Sequence, residues 1–148
     1  MRLKAQVEEL GKNIASYSML NPSISKADVG WHIEHTLLAI NAIIGALKTS
    51  EPSHYMRRFT WSKLLVLTTG FIPRGRAISP KVILPGLYSE KTLQEHLRLT
   101  IVKLGDLENI GAKHYFEHPY FGDLQLADTI HFLEIHTHHH LTIIGLAL

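Results

Sequence analysis

Four histidines within five positions are the residues of this sequence best suited to chemistry. His136, His138, His139 and His140 lie in the segment EIHTHHHLTIIG, and the whole chain has 11 histidines. A neutral imidazole ring binds divalent metal ions through its ring nitrogens. Affinity tags are runs appended at a terminus, but this cluster is interrupted by Thr137 and followed by the apolar stretch LTIIGLAL. The histidines are therefore expected to belong to the fold.

Helical periodicity places these histidines on different faces of a predicted last helix. At about 100° per residue, His140 lies within a broad apolar face and His136 lies one turn earlier along its edge. Two imidazoles at i and i+4 point the same way and can bind one ion. The same geometry puts His138 on the opposite side, where we expect it to be solvent-exposed. His139 lies on the flank, where packing or support of a metal ligand is the expected role.

A third ligand is expected from the second predicted helix, in the segment GWHIEHTLLAI. His35 lies above alanine residues, which leave room for a ligand or another helix, and His32 lies between that surface and the main apolar stripe. Either ring could face the last helix, and either alone could be a core histidine bonded to a backbone carbonyl. A catalytic metal site needs three protein ligands and an open position. The pattern favours His35 as the third ligand.

Two other kinds of metal site do not fit the spacing. An HExxH site needs glutamate directly after the first histidine, but Thr137 follows His136. Di-iron bundles use paired Glu-x-x-His motifs on facing helices, and here that spacing occurs at Glu51 and His54, in a proline-containing loop. The chain has no cysteine, so a thiolate ligand, a cysteine nucleophile and a disulfide framework are excluded. A mononuclear three-histidine site remains.

Composition predicts one globular domain, residues 1–148. Hydrophobic residues make up 45% of the chain and charged residues 19%, which is typical of a folded protein. The formal net charge is +2 and the basic residues are scattered, so a nucleic-acid partner is not expected. The first residues do not resemble a signal peptide, and no apolar run reaches the roughly 18 residues needed to span a bilayer. We expect a cytoplasmic protein without a membrane partner.

The elements that must position the histidines are predicted to be helices, without strands. Ser25 with Asp28, Ser89 and Asp123 are the expected N-terminal caps. Long irregular connections follow the second long helix and precede the last one, and these predict an all-α four-helix bundle with crossovers. The predicted helices, one of them short, cover residues 3–17, 26–48, 59–70, 90–109 and 124–148.

The long connection FIPRGRAISPKVILPG contains three basic residues that could bind an anion. Arg74, Arg76 and Lys81 could hold a carboxylate or phosphate of a cosubstrate, or they could be the solvated charges of an ordinary loop. In the second irregular segment, GAKHYFEHPYFG, His118 and Tyr120 could line the rim of a pocket or pack within the loop.

A general base is harder to assign from the sequence. Glu34 and Glu134 are predicted to lie away from the three-histidine site. His32 or His139 could transfer a proton through a water molecule, and these two are the candidate catalytic residues. No role follows for the histidines in loops or at a helix edge, which are His54, His96 and His114.

The segments VGWHIEHTLLAI and EIHTHHHLTII resemble the DinB-like, or DinB/YfiT-like, four-helix proteins. Trp31 and His35 match a Trp-x-x-x-His element near the start of the family's second helix. His136 and His140 match the His-x-x-x-His pair on its last helix. The resemblance covers nearly the whole chain, and the loop segments look most like a small bacterial branch of unknown function. The family's usual glutamine shortly after the final histidine is replaced by Ile143.

This resemblance implies a four-helix bundle with up-down-down-up topology. It also implies a divalent ion, zinc or nickel, bound by three histidines, and a homodimer. Characterised relatives are thiol-dependent transferases and isomerases that act with bacillithiol or mycothiol, and others are described as metal-dependent hydrolases. The resemblance therefore implies a thiol-dependent S-transferase or a hydrolase acting on a small-molecule substrate, with a low-molecular-weight thiol as a partner. The alternative is a non-catalytic metal-binding, structural or stress-associated bundle.

Overall fold

The computed structural model describes residues 2–74 and 80–148, which form five α-helices and one two-stranded sheet. The helical class agrees with the expectation, and the sheet is an addition to it. None of the described helices is both long enough and apolar enough to cross a membrane. The elements are α1 (Arg2–Lys12), α2 (Val29–Thr49), α3 (Trp61–Thr69), α4 (Glu90–Leu104), β1 (Tyr115–His118), β2 (Gly122–Gln125) and α5 (Leu126–Ala147).

Helix α2 lies at the centre of the molecule. It packs against α4 and α5, and α1 packs against the same two helices. Of the 21 residues of α2, 13 are buried. Its own apolar side chains therefore cover most of its circumference, as expected for a helix buried on most sides. The largest fully buried side chains come from four of the helices and from β2: Leu3, Leu10, Ile33, Leu37, Ile40, Ile44, Leu47, Leu93, Leu104, Leu124, Leu133 and Ile144.

Helix α2 begins three residues later than the sequence predicts, because Asp28 is its N-terminal cap. The Asp28 carboxylate accepts a hydrogen bond from the backbone N–H of Trp31 at 2.8 Å, which satisfies an N–H group that has no partner within the helix. The predicted capping role of Ser25 is wrong. Its hydroxyl oxygen instead accepts from the backbone N–H of Ala27 and hydrogen-bonds the ring of His32.

Other helix ends show where local signals are sufficient. Ser89 caps α4 as predicted, in a reciprocal pair with Thr92, and α3 is capped by Thr60 and ends at Gly70, whose φ is +66°. By contrast, helices α1 and α4 end earlier than predicted. After each of them the chain continues as a 3-10 segment, at Ile14–Ser16 and Gly105–Asn109. The α-helical geometry therefore stops before the apolar periodicity does.

The segment before α5 is a β-hairpin, so the prediction of an irregular loop there is wrong. Strands β1 and β2 pair antiparallel, with Tyr115 opposite Gln125, and Gly122 adopts the positive φ of +71° that the start of β2 requires. Asp123 is not a helix cap. It lies in β2, where its carboxylate accepts a hydrogen bond from the backbone N–H of Met56 at 2.8 Å. Each strand has only four residues, too few for alternation to be recognised.

Candidate metal centre

Helices α2 and α5 bring His35, His136 and His140 together. Each ring offers one nitrogen, and these three nitrogens all lie within 4.8 Å of one another. The ring centroids are 4.6 Å apart for His136 and His140, 4.9 Å for His35 and His140, and 5.3 Å for His35 and His136. The grouping predicted from helical spacing is therefore present, and the three rings are close enough to bind one metal ion.

A backbone carbonyl fixes the tautomer of His35. The His35 Nδ1 atom lies 2.9 Å from the carbonyl oxygen of Ile83, in a 3-10 turn that packs against α2. A carbonyl oxygen can only accept, so Nδ1–H donates and Nε2 keeps its lone pair. The indole of Trp31 stacks on the ring at 4.8 Å with an interplanar angle of 8°. His35 is thus held in the form and orientation that a metal ligand needs.

His32 lies beside the group but is not one of its members. Its Nδ1 atom is 3.0 Å from Nδ1 of His140, and its Nε2 atom is 2.9 Å from the hydroxyl oxygen of Ser25. Both rings are buried. The group of three nitrogens contains His35 and not His32, in agreement with the preference drawn from the sequence.

Within the described part of the chain, one ring nitrogen of His136 has no hydrogen-bond partner. Its Nδ1 atom is buried and makes no hydrogen bond with any described residue, while its ring lies between those of Phe132, at 5.7 Å, and His140. A buried polar atom without a partner is destabilising by about 1–3 kcal/mol. Three neutral imidazoles, one of them lacking a hydrogen-bond partner, form a donor set that suits a divalent ion.

Burial keeps these rings neutral at ordinary pH. It lowers the pKa of His35, lowers that of His136 to about 3, and holds that of His140 well below its usual range. For His136 and His140, the neighbouring histidines lower the pKa further. A neutral imidazole presents a lone pair without first losing a proton, so the site is ready to bind a cation near neutral pH.

The acidic residue next to His35 in sequence is directed away from the group. Glu34 is buried, and its carboxylate accepts a hydrogen bond from Nδ1 of His96 at 2.7 Å. No carboxylate belongs to the group of three among the described residues, consistent with the expectation that Glu34 and Glu134 lie away from it. The contact between Glu34 and His96 was not expected. A charged residue in a mostly apolar helix was the available signal, because buried charges require partners.

The two other histidines of the cluster occupy different environments. His138 is exposed, as predicted. His139 is half-buried and makes an edge contact with the ring of His140 at 5.2 Å. Burial is the main cause of a lowered pKa at His139, and the charge of Arg74 contributes to it. His139 therefore stands next to the group without joining it.

The residues proposed to bind an anion are only partly within the described chain. Arg74 and Lys81 are exposed, whereas Arg76 lies outside the described residues. Burial is the main cause of the lowered pKa of His32, and the charge of Arg74 makes a small contribution to it. An anion-binding role for these residues stays a prediction.

His118 packs within the hairpin. Its Nδ1 atom accepts hydrogen bonds from the backbone N–H groups of Tyr120 and Phe121 at 3.1 and 3.2 Å. Its ring stacks on that of Phe121 at 4.0 Å, and Tyr120 is exposed beside it. These contacts match the loop-packing alternative for His118.

The resemblance to DinB-like proteins depends on the motifs around His35, His136 and His140, and the structure brings these three rings together. The three-histidine group is an observation, whereas membership of the DinB-like family stays a prediction. Comparison of the chain with protein-family models, curated proteins and solved structures gives no match.

Proposed function

We propose that this protein is a metal-dependent enzyme acting on small molecules, with His35, His136 and His140 as the ligands of a single divalent ion. The observation that carries the proposal is the convergence of three neutral imidazoles from two helices, with nitrogens within 4.8 Å of one another. Zinc and nickel both suit imidazole ligands. The proposal includes a DinB-like four-helix bundle, which is supported by the packing of α1 and α2 against α4 and α5.

The number of ligands favours catalysis over a purely structural metal site. Structural zinc sites have four protein ligands, whereas catalytic sites have three and keep a position for water or substrate. Among the described residues, no fourth side chain joins the group. His32, the nearest candidate, directs its Nδ1 atom at His140.

Among the described residues, no carboxylate joins the three histidines, which favours thiol transfer over hydrolysis. A divalent ion held by three neutral ligands keeps its full charge and would lower the pKa of a bound water or thiol. A hydrolase commonly adds a carboxylate base, but Glu34 is already paired with His96. The chain has no cysteine, so the thiol would come from a low-molecular-weight cosubstrate. We therefore propose a thiol-dependent S-transferase.

Hydrolysis is the second candidate, and one contact favours it. His139 is half-buried and lies against the ring of His140, where it could accept a proton through a water molecule. His139→Gln separates the two reactions. It should impair a hydrolase strongly and leave thiol binding unchanged.

Elemental analysis of untagged protein, purified without a nickel column, tests the metal site. We expect near-stoichiometric zinc or nickel in the wild type and none in a His35/His136/His140 triple alanine variant. His138→Ala is the matched control, because this exposed histidine lies on the same helix, and it should keep the metal. A wild type that retains no metal after incubation with zinc or nickel would overturn the proposal.

Cobalt-substituted protein tests the reaction class. Adding a low-molecular-weight thiol should produce a near-ultraviolet thiolate-to-cobalt absorption band, since the proposed site keeps an open position. A thiol that leaves the spectrum unchanged would exclude the S-transferase. If azide and other small anions also leave it unchanged, the protein is a non-catalytic metal-binding bundle.

A further inference from the structure

A line of hydrogen bonds, buried at His140 and His32 and partly buried at Ser25, connects the three-histidine group to the loop before α2. It runs from Nδ1 of His140 to Nδ1 of His32 at 3.0 Å, and from Nε2 of His32 to the hydroxyl of Ser25 at 2.9 Å. The Ser25 oxygen also accepts from the backbone N–H of Ala27 at 3.0 Å, and the backbone N–H of Ser25 donates to the carbonyl of Asn21 at 3.0 Å. Ser25 is therefore held in place by its own loop.

The two facing Nδ1 atoms allow two arrangements of the protons. A neutral imidazole has one N–H donor and one acceptor nitrogen. If His32 donates to His140, the His140 proton must sit on Nε2, and His140 has no lone pair left for an ion. If His140 donates to His32, Nε2 of His140 is free, and His32 carries its proton on Nε2 and donates it to Ser25. Only the second arrangement allows neutral His140 to be a metal ligand.

We propose that His32 is a positioning residue that holds His140 in its metal-binding tautomer, and that Ser25 holds His32 in turn. This inference depends on the metal site proposed above. It gives His32 a hydrogen-bonding role in place of the catalytic role considered from the sequence. In the metal-bound protein, His140 donates to His32 and His32 donates to Ser25. The opposite arrangement is available only to the metal-free protein.

Zinc affinity, measured by competition with a chromophoric chelator, tests the role of His32. Loss of a hydrogen-bond partner of a metal ligand weakens binding by about 10–100-fold, and we expect this for His32→Leu. His32→Gln keeps a side-chain oxygen that can accept from His140 and should recover part of the affinity. Ser25→Ala should have a smaller effect in the same direction.

Thr36→Val is the matched control for stability. Thr36 is fully buried, and its hydroxyl donates to the backbone carbonyl of His32 at 2.7 Å without touching the ring nitrogens. The variant should lower the free energy of unfolding while leaving zinc affinity unchanged. If Thr36→Val weakens zinc binding as much as His32→Leu, general destabilisation explains the effect and the proposal is overturned.

Nitrogen NMR of the zinc-loaded wild type provides a test that needs no substitution. Long-range proton–nitrogen correlations should place the proton on Nδ1 of His140 and on Nε2 of His32. A proton on Nδ1 of His32 in the zinc-bound protein would overturn the proposal. Failure of the metal site itself gives a different result. A wild type that binds no zinc would refute both the metal site and this inference, whatever the variants show.

Discussion

Replacing His118 by asparagine should make the protein less sensitive to mild acid. The Nδ1 atom of His118 accepts hydrogen bonds from the backbone N–H groups of Tyr120 and Phe121. Protonation would turn Nδ1 into a donor that faces these two N–H donors, and both hydrogen bonds would be lost. Burial already lowers the pKa of His118 to about 4. Asparagine does not titrate, and its side-chain oxygen can accept a hydrogen bond from a backbone N–H two residues later.

The size of the effect follows from the two pKa values of His118. Histidine has a pKa of about 6.5 in an unfolded chain and about 4 in this fold. Below about pH 6.5 the unfolded chain binds a proton that the folded protein does not, so the free energy of unfolding falls as the pH decreases. The loss approaches about 1.4 kcal/mol per pH unit and levels off below about pH 4. From about pH 7.5 to about pH 5, His118 should account for about 2 kcal/mol.

Urea unfolding of both proteins at these two pH values, followed by circular dichroism with a metal chelator present, measures the difference. The other buried histidines are present in both chains, and His118 contributes less to the lowered pKa of His136 than burial and the other histidines do, so their effects largely cancel in the comparison. We expect His118→Asn to be less stable near neutrality, because ring contacts with Phe121 and Phe132 are lost. It should nevertheless lose about 2 kcal/mol less than the wild type on acidification. Equal losses would refute the reasoning that His118 stays neutral in the fold.

Three further substitutions test the packing of the helices by thermal and urea unfolding. Thr137→Val should raise the free energy of unfolding by about 1 kcal/mol, because the Thr137 hydroxyl is buried without a partner among the described residues; a lower melting temperature would contradict this. Gly45 is an exposed residue of helix α2. Gly45→Ala should raise the free energy of unfolding by about 0.5–1 kcal/mol, since an added Cβ meets no atom within 4 Å. Gly30→Ala, on the same helix, should destabilise, because its Cβ would lie 2.6 Å from the ring of Tyr88 and 2.9 Å from the carbonyl oxygen of Tyr17; equal stabilities of the two alanine variants would argue against that clash.

The three-histidine group could be predicted because it depends on helical geometry and burial. His136 and His140 are one turn apart, so any helix through them directs both rings to one side. His35 could be selected because small residues beside it leave space in a tightly packed helix. Exposure of His138 follows from the same geometry and is observed.

Contacts between distant segments could not be predicted in this way. The bonds from His35 to the Ile83 carbonyl and from His32 to His140 join residues 48 and 108 positions apart, and their formation depends on how the elements cross. The hairpin was missed because its strands are too short for a periodic signal. The start of α2 was misplaced because Ser25 and Asp28 are both good caps, and the Ser25 hydroxyl bonds the ring of His32 seven residues later instead of capping the helix.

The hydrogen bond from His35 to Ile83 would couple ion binding at the proposed site to the 3-10 turn Lys81–Ile83. The carbonyl of Ile83 is the acceptor that keeps Nδ1 of His35 protonated, so moving the 3-10 turn Lys81–Ile83 away would release the ring to rotate or change tautomer. An ion that favours the ordered ring must favour the ordered turn by the same free energy, because thermodynamic coupling is reciprocal. Substitutions in this turn should therefore change ion affinity at the proposed site without contacting the ion, and a bound ion should stabilise the turn Lys81–Ile83 against local unfolding.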